Sequence, residues 1–183
     1  MGSINPAHVR RAAELCADAL TPWINSDWSI AAGCLEWDVE RTIVHMVGAT
    51  AKYTVYLASG CRHFIALSCS RFDNATHAEL VESIRPVAEG LANVAEWVPA
   101  SAVAFHATGI KDGAGFVSMA CEELLLHTHD ALQGLGGVFS PNRDLAAAVL
   151  ASAYPNARAG RDPWSSLIAA SGRPLTALAA DGD

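Results

Sequence analysis

Apolar positions recur along this chain mostly with a helical period, and proline, glycine and capping residues punctuate them. Asn5 followed by Pro6 predicts an N-cap with proline at the first helical position, after which Val9, Ala13, Cys16 and Leu20 share a face until the helix ends near Pro22. Asp38 is placed to cap a second helix, VERTIVHMVGATAKYTVYLAS, which Gly60 stops. That segment carries few charges, which predicts a central position. Thr76 and Glu79 form a T-x-x-E capping box ahead of an apolar seam at Leu80, Ile84, Val87, Leu91 and Val94, with Pro86 expected to kink the helix and Pro99 just past its end. A fourth helix is predicted from about Gly115 to Gln133, before a Gly-Leu-Gly-Gly stop. Ser140 and Pro141 open a fifth over NRDLAAAVLASAY, closed by Pro155, and DPWSSLIAASGR reads as a shorter terminal helix.

The stretches between these helices are long. NSDWSIAAGCLEW joins the first two, CRHFIALSCSRFDNA has no clear period, and ASAVAFHATGIKDGAG shows strand character at Ala102 to Phe105. Connections of roughly a dozen residues exceed the 2 to 8 typical of an up-down-up-down bundle, so at least one crossover is expected. The pattern predicts an all-α fold, a four-helix bundle with long crossover connections and additional C-terminal helices packed across it, as a single domain over residues 1–183.

Composition narrows this picture. With 51% apolar residues the chain can bury one substantial core. Twelve basic against nineteen acidic side chains give a net charge of −7, which removes the attraction that phosphate binding requires, so no nucleic-acid partner is expected. The N-terminus lacks the apolar core of a secretory signal, and no run approaches the roughly 18 residues needed to span a bilayer. A cytoplasmic protein without a membrane partner is expected; oligomeric state is left open, a homodimer among the options. Cys16, Cys34, Cys61, Cys69 and Cys121 are odd in number, widely spaced and free of C-x-x-C pairs, so they read as reduced thiols, mostly in the core.

The candidate chemistry lies in EELLLHTHDAL, residues 122–132. On a wheel of about 100° per residue, Phe116, Met119, Ala120, Glu123, His127, Asp130 and Gly134 fall in one inward stripe. Glu122 and His129 fall with Ser118 and Gln133 on the opposite side, where a solvated polar face is expected. Glu123 and His127 are four residues apart and therefore neighbours, and an unpaired carboxylate among Phe, Met, Ala and Gly would cost several kcal/mol. Two readings are open here: a buried Glu-His pair satisfied by its neighbours, or two ligands of a metal ion whose third ligand comes from elsewhere.

Among the other histidines, His8 and His77 lie in first helical turns and read as solvated termini. His45, in the least charged helix, is a candidate third ligand, although its wheel position does not decide between core and surface. Arg62, His63 and His106 in the long connections, with Trp37, are candidate liners of a cosubstrate pocket, and Arg173 is a candidate for binding a substrate carboxylate.

CLEWDVERTIVHMVGA resembles the W-x-V-x-D-x-x-x-H segment, and CEELLLHTHDALQGLG the E-x-x-x-H-x-x-D-x-A-x-x-x-G segment, of the DinB-like superfamily, specifically the N-terminal domain of mycothiol-dependent maleylpyruvate isomerase. The terminal DPWSSLIAASGR is similar to that family's D-P-W and G-R element. The resemblance implies a DinB-like four-helix bundle in which His45, Glu123 and His127 bind a divalent metal, usually zinc, with Asp130 hydrogen-bonded behind a ligand. It also implies a small-molecule thiol such as mycothiol as cosubstrate, and a transferase or isomerase acting on a small electrophile. Three protein ligands leave a metal one open position, so two alternatives stand beside this: a hydrolase using metal-bound water, and a non-catalytic small-molecule-binding bundle.

Overall fold

The computed structural model of the protein describes residues 3–174 except 67, 69, 72, 73 and 159; Cys69 lies outside the described residues. Helix α1, Pro6–Leu20, begins where the Asn5 side chain accepts from the Ala7 N–H, and a short 3-10 turn over Thr21–Trp23 extends it. Helix α2, Val39–Ser59, is capped by Asp38, which accepts from the Arg41 N–H at 2.7 Å, and ends at Gly60 with φ +59°. The helix expected to kink at Pro86 is two helices, α3 (His77–Glu82) and α4 (Ile84–Trp97). Pro86 has no N–H for the carbonyl four residues back, so the ladder fails there. At Ser83 the N–H is instead shared between the carbonyls of Glu79 and Leu80, at 3.1 and 3.2 Å.

The strand character near Ala102 to Phe105 materialises as β1 (Val103–His106), which pairs antiparallel with β2 (Gly109–Asp112) through a two-residue turn. The hairpin is tied to the end of α2 by the Phe105 N–H, which donates to the Cys61 carbonyl at 2.7 Å. Asp112, the last residue of β2, caps helix α5, Gly113–Leu135, by accepting from the Gly115 N–H. Helix α6, Arg143–Ala153, starts two residues later than Ser140 and Pro141 suggest, because Asn142 supplies the cap. Helix α7, Pro163–Ala170, is capped by Asp162.

The fold is mainly helical with this one small sheet. Helices α1 and α2 each pack along both α4 and α5, closing a ring around an apolar core that includes Leu20, Ile43, Met46, Leu91, Phe116 and Leu124. Helix α6 packs on α5 and α7 packs on α6. Their presence corrects one expectation: the side of α5 carrying Ser118 and His129 is not solvated. Both residues are buried, and the edge of the Trp164 indole meets the His129 ring at 5.5 Å. The nearly unbroken apolar run of α6 must itself be covered, and α5 provides the surface. His77 is likewise no solvated terminus, for it stacks on Trp28 at 4.2 Å and reaches Glu40 at 3.3 Å. Of the described cysteines, Cys16 and Cys121 are buried, Cys61 is half-buried and Cys34 exposed, all as free thiols. No described helix is long and apolar enough to cross a membrane.

The connection before α2 folds back on itself. Ala31 bridges Asp38, with the Ala32 N–H donating to the Trp37 carbonyl at 2.9 Å. This loop crosses α5 at Gly134, where a Cβ would stand 2.2 Å from the Ala31 carbonyl oxygen, so only glycine admits the crossing. Trp37 is thereby delivered to the middle of α2 and α5.

Candidate metal centre

Helix α2 contributes His45 and Tyr53, and the facing side of α5 contributes Glu123, His127 and Asp130. Glu123 Oε2 lies 3.1 Å from His127 Nε2 and 3.4 Å from His45 Nε2. All three atoms are within 4.8 Å of one another, so the three residues that the sequence singles out are brought to one point. Tetrahedral ligands about 2.0–2.1 Å from zinc stand roughly 3.3 Å apart, which the two measured separations approach.

The supporting contacts leave those atoms in place. The Tyr53 hydroxyl donates to Glu123 Oε1 at 3.0 Å, which leaves Oε2 facing the histidines. His127 Nδ1 lies 3.2 Å from Asp130 Oδ2, and Asp130 is fully buried, held by Arg173 through Nε at 2.8 Å and a terminal nitrogen at 2.6 Å. A carboxylate behind one imidazole nitrogen fixes the ring and turns the other nitrogen toward the site, the arrangement usual for metal-binding histidines. The ring of Trp37 lies 4.9 Å from the His45 ring and 6.5 Å from the His127 ring, and the Arg41 guanidinium stands over the Trp37 ring at 4.7 Å. His45 is the most open of the three, its side chain 41% exposed against 14% for His127.

Electrostatics follow from this packing. For His127, burial pulls the pKa down, but hydrogen bonds to Asp130 and Glu123 outweigh it and raise the imidazole to about 9. Burial pushes Glu123 upward, yet the hydrogen bonds from His127 and His45 hold it well below the usual carboxylate range. Burial, with the Glu123 charge behind it, keeps the Tyr53 hydroxyl protonated.

Two clefts open on this cluster. One of about 480 Å³ lies beneath the β-hairpin and is lined by His127, Lys111, Glu122, Tyr154 and Arg173 among others. The second, of about 390 Å³, is lined by His45, Lys52, Tyr56 and Phe64. Tyr53, His106 and Glu123 border both, forming a wall between them.

Of the pocket residues expected from sequence, His106 lines both clefts. Arg62 and His63 do not line either: they are exposed in the connection after α2, which reaches the second cleft through Phe64 instead. Arg173 borders the first cleft, but its guanidinium is matched by Asp130. Glu122, expected in solvent, is half-buried in the same cleft and accepts a hydrogen bond from the Tyr154 hydroxyl; burial raises its pKa. Tyr53, Lys111 and Tyr154 are additions that the sequence reading missed. Tyr53 carried a weak signal, a hydroxyl-bearing ring in a helix of low charge. Lys111 and Tyr154 carried none, since their positions depend on how the hairpin and α6 dock. Compared with known proteins, the chain matches no family model, no curated protein and no solved structure.

Proposed function

We propose that this chain is a divalent-metal protein of DinB-like helical-bundle type, most simply a zinc protein, that joins a low-molecular-weight thiol of the mycothiol kind to a small electrophile, or isomerises that electrophile through the adduct. One observation carries the reading: three donor atoms from two helices converge within 4.8 Å, and one of them is aimed by a fully buried carboxylate behind it. The closed ring of α1, α2, α4 and α5 supports the bundle assignment.

His45, Glu123 and His127 would hold the ion. A divalent ion so held supplies one thing, a thiol pKa drawn down toward neutrality so that the nucleophilic thiolate is present at pH 7. The chain's own residues do the rest. Asp130 keeps the His127 proton on Nδ1 and frees Nε2 for ligation. Tyr53 occupies Glu123 Oε1 and so confines ligation to Oε2. Trp37 packs its ring beside both imidazoles and so limits how they can turn. Glu122, its pKa raised by burial, accepts from the Tyr154 hydroxyl in the cleft on the α6 side. Two clefts meeting at Glu123 offer room for two molecules, which favours a thiol-dependent reaction over hydrolysis, where one substrate and water suffice.

Metal analysis of freshly purified protein should find about one equivalent of zinc per chain, lost in His127→Ala. After cobalt(II) substitution, added mycothiol should produce a sulfur-to-metal charge-transfer band in the near ultraviolet. A metal-free wild-type protein that also takes up no zinc when supplied with it would end this reading, and turnover of esters or amides without any thiol would replace it with hydrolysis.

A further inference from the structure

We infer that the second cleft, beside His45, is a binding site for a planar aromatic ring carried by a small molecule, with the Phe64 ring and the Lys52 ammonium as the groups that receive it. The inference deepens the proposed function by naming what the electrophile carries away from its reacting end. It rests on that reading only for where the reacting end lies, beside His45 and Glu123.

The cleft runs along one line of α2. His45, Ala49, Lys52, Tyr53 and Tyr56 recur at three- and four-residue steps and border it, with Gly48 beside Ala49. Between the imidazole at one end and the tyrosines at the other, Gly48 and Ala49 carry nothing longer than a methyl. That stretch is a floor clear of long side chains, one turn or about 5 Å along the helix from His45. The volume, about 390 Å³, falls within the range of roughly 300 to 1,000 Å³ usual for small-molecule sites. The facing wall is pinned in place: the Ile65 N–H donates to the Tyr56 hydroxyl oxygen at 2.9 Å, and Ile65 packs on the core, which holds Phe64 against this end of α2. The bond from the Phe105 N–H to the Cys61 carbonyl brings His106 and Ala107 of the hairpin to the third side.

One ring on these walls lacks a partner. His45 meets Trp37 and His127, Tyr53 meets His106 and Phe116, and Tyr56 meets Phe105 and Phe116, at centroid separations of 4.9 to 6.4 Å. Phe64 meets no other ring among the described residues and is 61% exposed, although it borders the cleft. The Lys52 ammonium lies over its ring at 4.5 Å and over the Tyr56 ring at 5.8 Å, so a cation already stands at the aromatic end. A flat ring seated on Gly48 and Ala49 would cover the exposed Phe64 surface and gain the same cation. Apolar burial alone would serve any ring of that size. Ring-to-ring contact and attraction of an ammonium to a π-face serve an aromatic ring and not a saturated one. The first cleft, walled by Lys111, Glu122 and Arg173 among others, has no phenylalanine on it among the described residues.

The test uses benzyl alcohol, with cyclohexylmethanol as its saturated counterpart of like size and the same polar group. Each is titrated into isotope-labelled full-length protein, with and without zinc, and followed by amide chemical shifts. Benzyl alcohol should shift the amides of Ala49, Phe64 and Ala107, bind about tenfold more tightly than cyclohexylmethanol, weaken by about tenfold in Phe64→Ala, and recover in Phe64→Tyr. In Lys52→Met the preference for the aromatic ring should shrink while cyclohexylmethanol is unaffected. Phe64 is largely exposed, so its replacement should leave the remaining amide spectrum in place, which checks that the fold persists. Benzyl alcohol that binds no better than cyclohexylmethanol, that binds Phe64→Ala as tightly as wild type, or that moves only Gly115 and Met119 of the first cleft overturns the assignment. Zinc content, measured on the same samples, reports the metal reading separately: a Phe64-dependent response in protein that takes up no zinc would keep the ring site and discard the metal centre, and zinc uptake without a ring preference would do the reverse.

Discussion

Asp130 accepts from two directions at once, from the guanidinium of Arg173 and from the imidazole of His127, and it does so with no exposure to water. Replacing it with Asn keeps the shape but removes the charge, and zinc affinity measured by chelator competition should fall about 10- to 100-fold. Removing the partner instead, in Arg173→Met, leaves a buried carboxylate half-matched and should cost about 3 kcal/mol in urea unfolding. His127 gives the pH dependence. In the metal-free protein its pKa is raised to about 9, above the ordinary 6.5, so its contribution to stability is complete below pH 6.5 and is lost as pH rises through 9. On the proposed zinc reading the metal would have to displace the Nε2 proton over the same interval, so its apparent affinity should climb about tenfold per pH unit and level off near pH 9. The spacing of Glu123, His127 and Asp130 on one helical stripe made this much readable from sequence, because i, i+3 and i, i+4 neighbours meet in any helix. Tyr154 and Lys111 were not readable, because each reaches the clefts through a packing angle that no local pattern encodes, and Tyr53 was only faintly so.

Among the elements, α5 shows how a wheel can be correct on one side and wrong on the other. Its stripe from Phe116 to Asp130 does face α2, as the apolar periodicity requires. The opposite side holds Ser118, Glu122 and His129, whose polarity reads as solvent-facing, yet α6 and α7 cover it. A wheel reports polarity, and here the demand of α6 to bury its own alanines and leucines overrode it. The second strand of the hairpin escaped for a different reason: Gly109–Asp112 is too short, and too polar, to show an alternation. Gly134 tests the crossing of the Trp37 loop over α5. In Gly134→Ala the methyl would collide with the Ala31 carbonyl, and stability should drop by about 2 kcal/mol or more in chemical denaturation, with Trp37 fluorescence altered.

For the molecule as a whole, the helices and their caps were legible from Asn5, Asp38, Thr76, Gly60 and Gly136, whereas the order in which they close a ring was not, since long connections leave many pairings open. If the ring is cross-linked by an ion held between α2 and α5, folding and loading are coupled. Free zinc at a hundredfold excess over its Kd should stabilise the native state by about 2.7 kcal/mol, and a chelator should lower the thermal midpoint accordingly, with no such response in Glu123→Gln.

The partition built from Tyr53, His106 and Glu123 belongs to both compartments. Should each compartment hold a guest, any displacement of this shared boundary by one would be met by the other, and thermodynamic reciprocity would then require the same factor in both directions.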